Sequence, residues 1–167
     1  SSLKKLPHYP VMLDKILEVC EPEKGGSFID CTFGSGGYTN AILSFPKTEV
    51  IAIDRDSEAQ KYANNTKKLY KDRFSFHNSK FSEIKKIIEK KKKFDFVIFD
   101  LGLSSLQIFN LERGFSFNSK SKIDMRMGLN SLSAHEVINN FSLSTLTDII
   151  KYLGEEKESY SIAKNII

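Results

Sequence analysis

The sequence predicts an α/β fold in which helices cover both faces of a doubly wound parallel sheet. Two observations support this prediction. Short, nearly continuous apolar segments have the composition of strands buried on both faces, and segments with helical spacing of apolar residues separate them. Because the crossovers between such strands are right-handed, the strands are expected to be parallel. The predicted strands are 27–31, 49–53, 73–77 and 94–99.

The first strand lies between two predicted helices. Apolar residues recur with helical spacing from Val11 to Cys20, and the segment 21–26, with its proline and paired glycines, ends that pattern. After the first strand comes a glycine-rich turn, and a second helix is predicted from Thr39 to Phe45, just before Pro46.

The remaining elements continue the alternation. The second strand ends on Asp54 and the fourth on Asp100. We expect a helix with Ser57 as its N-cap that runs to about Lys68, and a lysine-rich helix over Phe81–Lys92. Three strand–helix units that lead into a fourth strand are typical of a doubly wound sheet.

The pattern changes after the fourth strand. Residues 101–130 have no sustained periodicity, and such a segment is long for a passive connection. Three helical patterns follow, over 133–141, 142–153 and 155–167, with serines at positions suited to N-caps.

These patterns predict two parts. We expect a core with its active-site loops over residues 1–130 and the beginning of a helical insertion over 131–167. No fifth strand is predicted, yet the segment 94–99 is apolar on both faces, as a central strand would be. We therefore expect the sequence to be a fragment whose sheet is completed by later strands.

The composition predicts a soluble protein of a reducing cytoplasm. The chain has 40% hydrophobic and 28% charged residues, no apolar run long enough to span a membrane and no signal-peptide pattern. Its two cysteines suggest no disulfide framework, and no cluster of cysteine, histidine and acidic residues suggests a metal. The net charge of +4 permits a nucleic-acid partner without requiring one.

The turn after the first strand is typical of a nucleotide-type ligand site. Gly34, Gly36 and Gly37 allow positive φ and a close approach of ligand to backbone, and the helix that follows offers free N–H groups. Ligands of such sheets bind beyond the carboxyl ends of the strands. Asp30, Asp54 and Asp100 are therefore expected to face one crevice.

Two cofactors fit the turn. Gly34-x-Gly36 with Asp54 twenty residues on is also typical of a nicotinamide-dinucleotide site, but the third glycine of that motif would fall at Thr39. Asp30, before the turn, is suited to the cationic methionine moiety of S-adenosylmethionine. We favour that cofactor, with Asp54 at its ribose hydroxyls. An oxidoreductase that uses NAD, and an RNA-associated nucleotide-binding module without turnover, are the alternatives.

Tracts spread along the chain match the motifs of one enzyme family. They are His8–Val11, Asp30–Gly37, Asp54–Asp56, Asp100–Gln107, Arg113–Phe117, Asp124–Met127 and Gly154–Glu156. The chain resembles the bacterial RsmH, or MraW, family of small-subunit ribosomal RNA methyltransferases, which methylate N4 of a cytosine. The combination is highly specific, although each tract alone is weak. The resemblance implies a class I S-adenosylmethionine-dependent methyltransferase fold and typical members considerably longer than this chain.

The resemblance also implies a set of cofactor contacts and a substrate. By motif position, the contacts fall on Gly36, Gly37, Tyr38, Asp54, Phe81, Asp100 and Gln107. Tyr38 departs from the histidine that many members have, so a role that needs an imidazole does not carry over. The implied substrate is a cytosine in the decoding region of small-subunit ribosomal RNA, as free RNA or in a 30S-type subunit. Whether the protein forms a homodimer is left open.

Asp100 has two alternative roles in the implied reaction. Cytosine N4 is a poor nucleophile, so the main tasks of the enzyme are alignment and handling of the amine proton. Asp100 either accepts a hydrogen bond from N4 or serves the cofactor alone. We expect Ser104 and Ser105 to fix the base, and a phenylalanine of the 113–117 loop to stack on it.

The expected RNA contacts lie in the aperiodic segment. Arg113 and Arg126 would meet phosphates, and Phe115 and Phe117 would stack on unpaired bases. Arg126 could equally form an internal salt bridge in the Asp124–Met127 tract. The lysine run 90–93 is explained more simply as a solvated helix end.

Overall fold

The computed structural model describes residues 10, 12–88 and 93–167, and at its centre is a four-stranded sheet of parallel strands. The predicted α/β class is confirmed. The spatial order of the strands is β3-β2-β1-β4. Their bounds are β1 (Gly26–Asp30), β2 (Thr48–Asp54), β3 (Phe74–Asn78) and β4 (Phe96–Ile98).

The register brings the carboxyl ends of the strands to one edge of the sheet. Asp30, the last residue of the central strand β1, pairs with Ala52 of β2 and Ile98 of β4. Asp54 ends β2 opposite Asn78 of β3. The acids of β1 and β2 therefore lie at neighbouring strand ends, as the sequence predicted.

Helices cover both faces of the sheet. On one face, Phe28 packs in a cluster with Ile42, Ala63 and Phe74, while Ile29, the next residue of β1, packs in a separate cluster on the other face. Successive side chains of a strand point to opposite faces, so burial of both shows that β1 is central. The helices of this part are α1 (Leu13–Cys20), α2 (Gly37–Leu43), α3 (Ala59–Tyr70) and α4 (Ile84–Ile87).

The fourth strand is an edge strand and is shorter than predicted. Val97 and Phe99, which the sequence pattern assigned to the strand, are each 50% exposed, and Phe99 lies just outside β4. A segment that is apolar on both faces thus lies where only one neighbour pairs with it.

One helix prediction and one N-cap prediction are wrong, while the helix predicted to run to about Lys68 is present as α3. Over Phe81–Lys92 the structure has a 3-10 turn and the single turn α4, and Ile88 is extended, since the adjacent β-branched residues there are poor helix formers; residues 89–92 lie outside the described part. Ser57 is not an N-cap, because α3 begins later and the Asp56 carboxylate accepts the Glu58 N–H at 3.1 Å instead.

The chain divides into two compact units. The first contains the sheet and extends to Leu106, with Met127–Leu129, and the second contains Gln107–Arg126 and Asn130–Ile167. These compact units do not coincide with the predicted division into a core over residues 1–130 and a helical insertion over 131–167. The predicted division concerns function and stays a prediction. A short helix, α5 (Ser105–Phe109), spans the end of the first unit, where the sequence had predicted no helix.

The second unit contains the three helices predicted near the end of the sequence. They are α6 (Ala134–Asn140), α7 (Leu143–Tyr152) and α8 (Ser159–Ile166). Ser133 and Glu136 form a reciprocal capping box at the start of α6, and Ser142 caps α7. Leu146 and Ala163 are buried, on α7 and α8 respectively.

Candidate functional site

Three acidic residues lie at the carboxyl edge of the sheet in the first unit. Asp30 and Asp54 end β1 and β2, and Asp100 follows β4 by two residues. The Asp100 N–H donates to the Thr32 hydroxyl at 2.7 Å, which fixes the backbone beyond β4 against the turn after β1. The charges of Asp54 and Asp100 both contribute to the pKa of Asp30, so the three carboxylates share one environment.

Asp30 lies beneath the glycine turn and not on its surface. Its side chain is fully buried, and its carboxylate accepts the Thr39 hydroxyl at 2.6 Å and the Thr32 N–H at 3.2 Å. Burial raises the pKa of Asp30 to about 6, and the neighbouring acids act in the same direction. The assignment of Asp30 to the cofactor stays a prediction.

Asp54 fastens the glycine turn to the second strand. Its carboxylate accepts the Gly34 N–H at 2.7 Å and the Asp56 N–H at 2.8 Å. Burial raises the pKa of Asp54, against the effect of these two hydrogen bonds. A carboxylate has about four lone-pair sites, and these two hydrogen bonds, one to each oxygen, use two of them.

The glycines of the turn have three different environments. A Cβ on Gly34 would meet nothing within 4 Å, so the backbone there is open to a ligand. Gly36 has φ 86° and caps α2, and Gly37 lies so close to Pro10 that a Cβ would be 2.3 Å from its ring. Gly37 is therefore required for close packing of the segment before α1 onto the turn.

Tyr38, the departure from the family pattern, is a buried residue next to Asp100. The residue is 7% exposed and packs with Leu13 and Ala41. Burial raises the pKa of Tyr38, and the negative charge of Asp100 acts in the same direction.

Two phenylalanines form an aromatic pair beside the strand ends. The rings of Phe81 and Phe99 are 5.4 Å apart at 86°, an edge-to-face arrangement. Both remain accessible, Phe81 at 42% and Phe99 at 50%. The sequence had singled out only Phe81. Phe99 was missed, although its place immediately before Asp100 was a usable signal.

The other predicted residues near Asp100 lie on α5 or just before it. Ser104 and Ser105 are half-buried, in the first unit. Gln107 is on the same short helix and is 5% exposed, but it is grouped with the second unit.

In the second unit, the predicted RNA residues belong to one tightly closed loop. Asp124 accepts from Nε and Nη2 of Arg126 at 2.8 and 2.7 Å, and the hydrogen bonding to Arg126 holds the pKa of Asp124 at about 2. Of the two alternatives for Arg126, the structure has the internal salt bridge, with the Arg126 side chain still 46% exposed.

The same loop presents a cation and two aromatic rings. Arg113 donates to the Arg126 carbonyl at 2.7 Å and lies over the Phe115 ring, 5.5 Å from its centroid. Phe117 is fully exposed. An arginine held over an aromatic ring and an exposed phenylalanine are groups that stack on unpaired bases.

Residues 10, 12–88 and 93–167 contain neither a metal-binding cluster nor a helix that could span a membrane. That part of the chain contains no group of three or more histidine, cysteine or acidic residues arranged to hold a metal ion. It also contains no helix with the length and hydrophobicity needed to cross a membrane.

Comparison with known proteins identifies one family. The model of the MraW methylase family matches residues 5–167. Among curated proteins, the chain is similar to the ribosomal RNA small subunit methyltransferase H of Rickettsia bellii (strain OSU 85-389), with 44% identity over 96% of this chain and 52% of the relative. The protein of that name from Zymomonas mobilis is 41% identical over 96% of this chain and 49% of its own length. The chain thus spans about half the length of the curated relatives it matches.

Proposed function

Because the chain belongs to the MraW methylase family, we propose that it binds S-adenosylmethionine and methylates small-subunit ribosomal RNA, at N4 of a cytosine in the decoding region. The observation that carries this proposal is the set Asp30, Asp54 and Asp100, at adjoining strand ends around a glycine turn. The substrate class is supported by the names of the relatives, which are small-subunit ribosomal RNA methyltransferases. We assign the protein to the cytoplasm, in keeping with its free, buried Cys20 and Cys31.

The residues of the first unit fit this cofactor. The open backbone at Gly34 admits a ligand close to the turn, and Asp54 keeps acceptor positions for a pair of ribose hydroxyls. The half-exposed rings of Phe81 and Phe99 offer an apolar wall to adenine. The negative charge of Asp30 and Asp100 suits a cationic methionine moiety.

The methyl group arrives on an activated sulfonium when the cofactor is bound, so this chain's residues mainly bind and orient. In the proposed arrangement, the Asp100 carboxylate accepts a hydrogen bond from the exocyclic amine of cytosine. The hydrogen in this bond is the one that the amine loses as a proton when it is methylated. Ser104 and Ser105 supply hydroxyls to the base. In the alternative, Asp100 contacts only the cofactor. The same residues would then surround the ligands, but a residue other than Asp100 would bind the cytosine amine.

The RNA contacts are assigned to the second unit. Arg113 supplies positive charge toward phosphates, and Phe115 and Phe117 supply aromatic surfaces for unpaired bases. The ion pair between Asp124 and Arg126 then has the role of fixing the loop from which these groups project.

Calorimetric titration of the chain with S-adenosylhomocysteine and with NAD tests the choice of cofactor. We expect saturable binding of the first and none of the second, because the position of a third motif glycine is held by Thr39, whose hydroxyl is bonded to Asp30. Preferential binding of NAD would overturn the proposal in favour of an oxidoreductase.

Replacing Asp100 with alanine is expected to abolish methylation of small-subunit RNA by the full-length protein, since both of its proposed roles need the carboxylate. The measurement is transfer of labelled methyl from S-adenosylmethionine. Asp72→Ala is the matched control, because it removes an exposed carboxylate just before β3, at the opposite edge of the sheet. Unchanged turnover of Asp100→Ala would discard the assigned role.

A further inference from the structure

A short segment from late in the sequence belongs to the first unit. Met127–Leu129 is grouped with that unit, although the residues on either side of the segment are grouped with the second. The Leu129 N–H donates to the Met127 carbonyl at 2.9 Å, and Gly128 between them has φ 78°. The segment is therefore a γ-turn of the rare kind in which the central residue has positive φ. A strained turn persists only where its surroundings hold it, and such turns are frequent at ligand sites.

Gly128 lies against one peptide group of the turn that follows β2. A Cβ on Gly128 would be 2.6 Å from the Arg55 carbonyl oxygen and 3.1 Å from both the Asp56 Cα and the Ser57 nitrogen. The close approach and the positive φ each disfavour a side chain at this position. Gly128 is thus in direct backbone contact with the peptide between Arg55 and Asp56.

The other end of the same peptide group holds the Asp54 carboxylate. The Asp56 N–H donates to that carboxylate at 2.8 Å. A trans peptide is planar and rigid, with its carbonyl oxygen and its N–H pointing in opposite directions, so a displacement of one end moves the other. Because Gly128 contacts the oxygen end, its position and the orientation of Asp54 are linked through one rigid group.

The turn after β2 is also fixed to the beginning of α3. Asp56 is only 6% exposed, its carboxylate accepts the Glu58 N–H at 3.1 Å, and its carbonyl accepts the Ala59 N–H at 3.1 Å. Because these bonds hold that end of the turn, a methyl group at residue 128 would displace mainly the peptide between Arg55 and Asp56.

We propose that Gly128 is a positioning residue of the cofactor site. Residues 127–129 hold the peptide between Arg55 and Asp56, and the N–H of that peptide directs the Asp54 carboxylate toward the ribose hydroxyls of the ligand. The proposal rests on the proposed function, because it assumes that Asp54 binds those hydroxyls. It extends the cofactor site to a part of the chain that lies beyond the loop assigned to RNA.

The affinities for two ligands test this role. Gly128→Ala is expected to weaken binding of S-adenosylhomocysteine by about tenfold, the usual value of one hydrogen bond to a charged group. Binding of the 2′,3′-dideoxy analogue, which lacks both ribose hydroxyls, should change by less than about twofold, because that ligand has no partner for Asp54. Equal losses for the two ligands would overturn the proposal in favour of a general distortion. Unchanged affinity for both would overturn it as well, since the segment could then move away without an effect on Asp54.

Two further variants separate backbone strain from the contact. Gly25→Ala is the matched control, because Gly25 has φ 83° and a Cβ there would be 2.9 Å from the Lys47 carbonyl oxygen, but it lies just before β1, at the amino edge of the sheet. It should leave the ratio of the two affinities unchanged. Gly128→Asn keeps the Cβ, while asparagine tolerates the left-handed conformation better than alanine does. It should therefore fold more readily than Gly128→Ala and give the same altered ratio, and a ratio equal to that of the wild type would contradict the proposal.

Hydrogen exchange of the Asp56 amide is a readout that does not depend on the cofactor. This amide is bonded to the Asp54 carboxylate, and we expect it to exchange faster in Gly128→Ala than in Gly25→Ala when both are compared at equal stability. Equal exchange in the two variants would contradict the link between Gly128 and Asp54. If the exchange differs but S-adenosylhomocysteine does not bind the wild-type chain, the proposed function fails while that structural link stands.

Discussion

Replacing Gly36 with alanine is expected to lower the free energy of unfolding by about 2–4 kcal/mol and to weaken cofactor binding on the order of 100-fold. Gly36 has φ 86°, a left-handed conformation that disfavours residues with a Cβ. The new Cβ would also lie 2.7 Å from the Asn40 amide nitrogen and 2.8 Å from the Phe33 ring. The turn must therefore change shape to accept even one methyl group.

Neither neighbour of Gly36 can move away easily. Phe33 is 3% exposed and its ring packs against Phe74 and Phe76, at 5.8 and 5.3 Å between centroids. The Asn40 amide donates to the Gly36 carbonyl at 2.7 Å and accepts from the Thr66 hydroxyl at 3.1 Å. Because packing holds the Phe33 ring and hydrogen bonds hold the Asn40 amide, neither can move away from the new methyl group. The backbone of the glycine turn, which the ligand approaches, must therefore change its conformation.

Gly34→Ala separates the two causes of this effect. Gly34 also has positive φ, 54°, but a Cβ there would meet no atom within 4 Å. It should lower stability by about 1 kcal/mol, the cost of the left-handed conformation alone. Urea unfolding followed by circular dichroism measures both variants. If Gly34→Ala were as destabilising as Gly36→Ala, close packing around the turn would not be the cause.

The sequence was informative about the sheet because parallel strands and their ends have local signatures. Each strand is a short apolar segment, and an aspartate marks the end of β1 and of β2. Parallel topology then places those ends at one edge without further information. The convergence of Asp30, Asp54 and Asp100 could therefore be predicted from spacing alone.

The environment of each acid could not be predicted in this way. Asp30 is fully buried and accepts the Thr39 hydroxyl, and Tyr38 is buried against Leu13 and Ala41, because of how α2 packs on the sheet and on α1. Such contacts join residues distant in sequence, and hydrophobic periodicity carries no information about them. Sequence patterns located the acids, and packing decided which is buried and which is exposed.

Packing against the sheet, more than local propensity, explains why the helix predicted after β3 is not formed. The lysine-rich segment after β3 has helical spacing over one turn, but Ile84, Ile87 and Ile88 are needed to pack against the Ile29 side of the sheet. Tertiary burial of these residues prevailed over the helical pattern, and Ile88 is extended. In contrast, the serine caps of α6 and α7 are local interactions, and they were predicted correctly.

Asp30→Asn is expected to change how stability depends on pH. The pKa of Asp30 is raised from 3.8 to about 6 in the folded chain, so the folded state binds this proton more tightly than the unfolded state. The shift corresponds to about 3 kcal/mol. This contribution destabilises the wild type progressively as the pH rises from about 4 to about 6, and it stays constant above that range. Asparagine does not titrate. At pH 7 the free energy of unfolding of Asp30→Asn should therefore exceed that of the wild type by up to this amount.

The surroundings of Asp30 allow this substitution. An asparagine can accept the Thr32 N–H with its oxygen, and its amide can donate to the Thr39 hydroxyl, which would turn to accept. Asp124→Asn is the matched control of opposite sign, since the pKa of Asp124 is lowered to about 2 and its effect should not vary above pH 5. Urea unfolding of both variants and the wild type between pH 4 and 8 gives the differences. If the difference in free energy of unfolding between Asp30→Asn and the wild type were constant over this range, the buried carboxylate would not titrate there.

Because a bound cation would stabilise the Asp30 charge, S-adenosylmethionine should reduce the stability difference between Asp30→Asn and the wild type at pH 7.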